Sequence, residues 1–385
     1  MPASDFTQHE WPTRSVVLSH DWLTGMRGGE RVLELLCNQF PDAEILTLIA
    51  NRGSVSDRIR SHAIRTSVLQ HVPGIFRSYR VLLPVFPAAV AAMRPPAAEL
   101  MISTSHCIAK AVKPPPGARH LCYCFTPMRY AWSFFEEYFG RNPVKGLVAR
   151  PLLAAMRRWD RKTSSRVDRF VAISRHIRDR IRTAYGRDSD VVYPPVDLER
   201  CTPIPEPSAD FDLIVSALVP YKRLDLAVRA YGRVGFPLVI VGTGTERRHL
   251  ERGAGPNVRF LGWQSDEEVL SLYRNCRLLV FPGEEDFGIV PVEAQACGRP
   301  VVAFAKGGAL ETVKADVSGV FFNEQTEEAL LDAVRRAAAR TWDPAAIRAC
   351  SEPFGVPQFL AGLSESIERC RGTQAKPQPA SCLRV

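Results

Sequence analysis

The stretch FPGEEDFGIVPVEAQACGRP (281–300) carries two carboxylates, Glu285 and Glu293, eight positions apart. An apolar run precedes them, and Gly288 and Pro291 stand between them. Glu293 falls in the first turns of a helix reading VPVEAQACG. A carboxylate there can accept hydrogen bonds from two ribose hydroxyls, as the acidic residue of dinucleotide sites does. Glu285 lies in the loop before that helix, where a sugar would sit. The backbone N–H groups of Phe287, Gly288 and Ile289 are the donors such a loop offers to a sugar or to phosphates. A glycosidase would need both acids to flank one bond. A strand-to-helix turn separates these two, and they need not converge.

Three other turns share this grammar. In HDWLTGMRGGERVLELL, Gly25, Gly28 and Gly29 lead into a helix whose free N–H groups suit a phosphate. The run matches neither G-x-G-x-x-G nor the Walker pattern, which argues against a dinucleotide fingerprint or a P-loop. In VSALVPYKRLDLAV, Lys222 and Arg223 follow a strand and precede a helix, placed to offset the charge of a leaving diphosphate. VGTGTERR repeats the strand–glycine–helix order at Gly242 and Gly244.

The elements that must position these residues alternate along the chain. SVVLSH, AEILTLIA, AELMISTSH, ARHLCYCF and DRFVAIS read as buried strands of a first unit, and SRHIRDRIRTAYG as a helix capped by Ser174 and stopped by Gly186. The proline-rich 201–210 reads as a linker. The alternation then restarts with FDLIVSALV, PLVIVGTG, NVRFLGW, RLLVFPG, PVVAFAKGG and SGVFFN. Strand–helix alternation predicts parallel sheets with helices on both faces, and their ligands sit at the carboxyl ends of the strands. The expected class is therefore α/β, with two Rossmann-like domains facing across a cleft. The boundaries are 1–200 for an acceptor-side domain, 211–352 for a nucleotide-sugar domain, 353–372 for a helix returning to the first domain, and 373–385 for a disordered tail.

Composition narrows the setting. The chain has 385 residues, 46 % of them apolar, enough for two cores. No secretory signal opens it. The longest apolar stretch, VLLPVFPAAVAAM (81–93), is broken by two prolines and is short of the roughly 20 residues of a membrane span. Ten scattered cysteines read as reduced cytosolic thiols. Cys122, Cys124 and His120 lack zinc-like spacing. The Asp188–Asp190 pair sits in a polar turn and reads as a solvated loop rather than a metal site. The formal charge of +9 resides in residues 1–200, which hold 29 basic against 18 acidic side chains. That asymmetry suggests an anionic partner. No nucleic-acid-binding motif accompanies it.

GEEDFGIVPVEAQACGRPVVAFAKGGALETV resembles the E-x7-E block of family 4 retaining glycosyltransferases, which have the GT-B fold. SALVPYKRLDLAV, VIVGTGTE, FLGWQSDEEV and FVAISRHI…VVYPPVD resemble the same family in the expected order, over roughly residues 14–370. CYCFTPMRYAW and SHDWLTGMRGGERVLE are similar to a bacterial branch that builds surface polysaccharides, for which GDP-mannose is the favoured donor and a UDP-sugar the alternative. The resemblance implies that Glu285 contacts the donor sugar and Glu293 the ribose. It implies that Lys222, helped by Arg223, neutralises the diphosphate, that Gly28 and Gly29 approach the donor from the first domain, and that Trp263 and Gln264 lie near the base. It implies no metal or other cofactor. His106 and Arg129 are acceptor-side candidates, because the family's cleft histidine is Phe125 here. The implied acceptor is a saccharide or a polyprenyl-diphosphate-linked saccharide at the inner membrane face. The mixed basic and apolar run 141–166 is then a candidate contact with an anionic membrane surface. A same-fold epimerase or phosphorylase, or a non-catalytic binder, are the alternatives.

Overall fold

A computed structural model describes residues 11, 13, 15–132, 143–206 and 210–372. The expected tail at 373–385 lies outside the described residues, as does the start of the run 141–166. Thirteen strands form two parallel sheets among these residues. The first sheet contains β1 (Val16–His20), β2 (Glu44–Thr47), β3 (Ile64–Thr66), β4 (Leu100–Ser105), β5 (Arg119–Cys124), β6 (Arg169–Ala172) and β7 (Ser189–Val191). Their order is β3-β2-β1-β4-β5-β6-β7. The second contains β8 (Asp212–Val215), β9 (Leu238–Val241), β10 (Val258–Gly262), β11 (Leu279–Phe281), β12 (Val301–Phe304) and β13 (Gly319–Phe322), in the order β10-β9-β8-β11-β12-β13. The α/β class and the two Rossmann-like units are as the alternation predicts.

The sequence forms these strands because parallel strands are covered on both faces and therefore read as unbroken apolar runs. β1, β4, β9, β11 and β12 are buried at every position. The edge strands β3 and β7 are the two the sequence reading does not list, and Asp190 lies in β7, paired with Arg169 at 3.0 Å, rather than in a solvated loop. Each has three residues, none of them buried, and so carries no period to detect.

In both sheets the strand order reverses beside the first strand: β4 pairs with β1, and β11 with β8. Such a switch point splays the following loops apart and opens a crevice at the carboxyl ends. The loops after β1, β4, β8 and β11 hold Asp21 to Arg27, His106, Lys222 and Glu285 respectively, and Gly28 and Gly29 open the helix Gly28–Gln39. The fold thus brings the residues singled out from sequence to two facing switch points.

The last helix, Val356–Gly372, packs on the first sheet rather than the second. Phe359, buried, meets Tyr123 of β5 edge-on at 5.5 Å. Leu363, Ile367 and Cys370 extend the same contact. This crossing ties the two ends of the chain together. Phe359→Ala should cost about 3–5 kcal/mol of unfolding free energy in a denaturant titration.

Candidate active site

The second-domain half of the site is built by the β8 and β11 loops. The turn Pro220–Lys222 follows β8, and Gly283 lies against it. A Cβ at Gly283 would stand 2.9 Å from Lys222 Cα, so only glycine lets the two loops touch. That contact sets the Lys222 ammonium against the Glu285 carboxylate as an ion pair. Both side chains are largely shielded from solvent. Burial, reinforced by the nearby charge of Arg129, pulls Lys222 down to about 7, with Asp286 acting in the opposite direction. The Glu285 carbonyl accepts the Gly308 N–H at 2.7 Å, so the loop after β12 braces this segment. Gly288, at φ +97°, begins the helix Ile289–Ala296. Its left-handed backbone turns the free N–H groups of that helix toward the loop, a geometry that disfavours other residues.

Asp286, the next residue after Glu285, is buried and bonds across the cleft. Arg129 pairs with one of its oxygens, and Arg180 Nη1 with the other at 2.6 Å. Ser174 Oγ donates to the Asp286 carbonyl at 2.6 Å while accepting from Ile177 N–H as the helix cap. Burial alone would raise the Asp286 carboxyl. Arg129 and then Arg180 overcome this and hold it below the usual carboxylate range. Arg129 also donates to the Tyr221 hydroxyl at 3.0 Å, beside Lys222. A second bridge runs parallel. Glu311, from the second domain, accepts the backbone N–H groups of Arg175 (2.8 Å) and His176 (2.9 Å) at the start of the helix Arg175–Tyr185, together with the Tyr193 hydroxyl (3.0 Å).

The first-domain half is organised by Asp21, the residue after β1. Its buried carboxylate accepts the backbone N–H groups of His106, Ile108 and Ala109, each at 2.6 Å. It also pairs with His106 Nδ1 at 2.8 Å. Burial would lift this carboxyl, but His106 holds it far below its ordinary value. His106 is one-third exposed, stands edge-on to Trp22 at 4.6 Å, and lies 6.5 Å from the Phe125 ring. Phe125 covers Gly29, where a Cβ would come within 3.3 Å of the ring. Gly28 meets Ile289 of the opposite domain, so the amino ends of two helices face each other across the cleft.

The other residues singled out from sequence are distributed around this centre. Glu293 accepts from the Tyr273 hydroxyl at 2.9 Å. Burial raises its carboxyl, against the Tyr273 bond and the charge of Arg31 from the first domain. Trp263 is exposed at 76 % beyond β10, and Gln264 donates to the Leu261 carbonyl at 3.0 Å. Gly242 and Gly244 lie so close to the Ser216 and Leu218 carbonyls that their lack of a side chain is explained by backbone packing. Arg223 does not join Lys222. It takes a left-handed conformation, φ +53°, and its guanidinium turns to Gln325 at 2.8 Å and Asp225 at 3.3 Å. The second cation near Lys222 is Arg129 instead. His120 bonds Ser103 and the Arg166 carbonyl inside the core, and burial holds it down to about 3.

Comparison with known proteins identifies the architecture. Residues 26–200 match the family model "Glycosyltransferase Family 4", and residues 206–346 match "Glycosyl transferases group 1". The lipopolysaccharide outer core galactosyltransferase WaaB, in its apo form, aligns over 92 % of this chain and 99 % of its own, with a TM-score of 0.64 at 16 % identity. HepE from Anabaena, in complex with UDP and glucose, aligns over 92 % and 99 %, with a TM-score of 0.67 at 18 % identity. The chain carries two glycosyltransferase domains in the GT-B fold. Among curated relatives, D-inositol 3-phosphate glycosyltransferase of Mycolicibacterium smegmatis is 31 % identical over 53 % of this chain and 52 % of its own length. An uncharacterized glycosyltransferase of Methanocaldococcus jannaschii is 31 % identical over 40 % and 44 %. The matched region therefore spans about half the length of these relatives.

Within this GT-B chain, sequence reasoning singled out Lys222, Glu285 and Glu293 but not Asp21, Asp286, Glu311 or Arg180. Asp21 had a faint signal, an acid directly after a buried strand, where its carboxylate must find partners. Asp286 and Glu311 had none, because their partners lie more than a hundred residues away. Asp286→Ala leaves Arg129 and Arg180 without their carboxylate and should cost about 3–5 kcal/mol on chemical unfolding. The same substitution should raise the radius of gyration in small-angle scattering. Because the Asp286 carboxyl is depressed, its contribution is full above the ordinary carboxylate pKa and is lost as pH falls through the lower folded value.

Proposed function

We propose that this chain is a retaining glycosyltransferase that moves a hexose from a nucleotide-sugar donor to a saccharide or polyprenyl-diphosphate-linked acceptor. GDP-mannose is the favoured donor and a UDP-sugar the alternative. The reading places the protein in the cytoplasm, peripheral to the inner membrane face, in surface-polysaccharide synthesis. The observation that carries it is the shielded Lys222–Glu285 pair at one switch point, facing the His106 and Gly28–Gly29 edge of the other. The complex of HepE with UDP and glucose supports a nucleotide-sugar donor in this fold.

In this reading Lys222 and the amino end of the helix Ile289–Ala296 receive the charge that develops on the leaving diphosphate. These donors are fixed before the reaction, so little reorganisation is needed as charge builds. Glu285 accepts from hydroxyls of the transferred sugar, and Glu293 from the ribose. Arg129 keeps Asp286 and its loop in register with Lys222. His106, oriented by Asp21, faces the acceptor.

Lys222 at about 7 makes donor binding depend on pH. A diphosphate favours the ammonium form, so binding takes up a proton once the free protein has lost it. Affinity for GDP, or for UDP if that is the nucleotide, should be constant below pH 7 and fall up to about tenfold per unit above it. Titration calorimetry from pH 6 to 9 reads this directly, and Lys222→Met should flatten the profile. Glu285→Gln should lower turnover by about a hundredfold or more while leaving nucleoside diphosphate affinity nearly unchanged. Unchanged product formation at saturating donor would remove Glu285 from the reaction. Release of nucleoside diphosphate only when acceptor is added separates a transferase from an epimerase.

A further inference from the structure

The apolar stretch at 81–93 belongs to a longer surface feature. Residues 75–92 form a helical run of three pieces, Ile75–Ser78, Tyr79–Val85 and Phe86–Ala92. Its inner stripe, Ile75, Tyr79, Leu83, Phe86, Val90 and Met93, is buried in the first-domain core. A soluble surface helix normally turns charged residues outward. This one turns out Phe76, Val81 and Val85, with Val81 exposed at 80 %. Five of the nine exposed large apolar side chains among the described residues lie within 68–85.

The charge on this face has one sign. No acid occurs between Asp57 and Glu99, while six arginines do. Arg77 and Arg80 are exposed beside Phe76 and Val81. Apolar side chains among cations, with no acid, are complementary to an interface of acyl chains and anionic headgroups. The run passes the length and composition test for a membrane span. Its inner stripe is nevertheless part of the core, so it can lie on a bilayer but cannot cross one. Under the run, Trp22 contacts Tyr79 at 5.1 Å on one side and His106 at 4.6 Å on the other. The outward face is therefore separated from His106 by two buried rings, Tyr79 and Trp22.

We propose that the acid-free face formed by Phe76, Arg77, Arg80, Val81 and Val85 seats the protein on an anionic lipid bilayer. Through Trp22, this places the His106 side of the cleft at the headgroup level. The inference rests on the transferase reading for its purpose, but the face itself is defined by exposure and charge. It is separate from the 141–166 run, whose described part buries Leu153, Met156 and Asp160 and turns Arg150, Leu152, Arg157 and Arg158 outward.

The test is sedimentation of the full chain with vesicles of equimolar phosphatidylglycerol and phosphatidylcholine, or of phosphatidylcholine alone. Wild type should pellet with the first and not the second, and added salt should release it. Arg77→Gln with Arg80→Gln should weaken binding about fivefold for each arginine removed. Phe76→Asp with Val81→Asp should abolish it, with near-ultraviolet circular dichroism and melting unchanged. Equal binding to both vesicles, no binding, or binding indifferent to both double variants would overturn the proposal. So would a concentration-dependent dimer that Val81→Asp dissolves, since the face would then belong to a second copy. Nucleoside diphosphate binding is measured on the same samples. Wild type that binds nucleotide but ignores vesicles sinks this inference and leaves the transferase reading standing, and the reverse result does the opposite.

Discussion

The second-domain side of the cleft depends on one buried carboxylate having its partners on the other domain. Asp286 is held between Arg129 and Arg180, and the chain at Asp286 is the chain at Glu285. Burying a carboxylate is costly unless it is paired. The loop after β11 can therefore take this conformation only when the first domain supplies its two guanidinium groups. The geometry of the Lys222–Glu285 pair is in this sense a property of the closed molecule rather than of the second domain alone. Arg129 connects the two directly, because its charge also lowers Lys222.

A second dependence runs through Asp21. Three backbone N–H groups and one imidazole converge on it, joining the ends of β1 and β4 at the switch point. The first domain thereby presents an oriented imidazole 6.5 Å from the Phe125 ring, which covers Gly29. The two switch points are built alike. Each uses a charged residue from a strand end to fix a loop, and each leaves a helix amino end facing the cleft.

Much of this was legible in the sequence. Parallel strands covered on both faces announce themselves as apolar runs, and Ser174 and Gly186 bound their helix as capping chemistry requires. Glu285, Glu293 and Lys222 were legible because each stands at a fixed offset from a strand end. The sequence did not reveal Arg223's left-handed backbone, which turns its side chain to Gln325. It also hid the roles of Asp286 and Glu311, since neither acid differs locally from a solvated loop residue and their partners are set by tertiary packing. The face at 72–85 was half legible. Its apolar character is plain in the sequence, but only the burial pattern shows which side chains remain outside.

Glu311 gives the closed form a further property. Its carboxylate sits on the amino end of the helix Arg175–Tyr185, so the second domain acts as that helix's counter-ion. Parting the domains separates unlike charges at Glu311 and at Asp286 together. The work of opening is therefore partly electrostatic, and the exposed portion of it diminishes as mobile ions accumulate around the parted groups. Salt therefore weakens the exposed part of this electrostatic bridge between the domains.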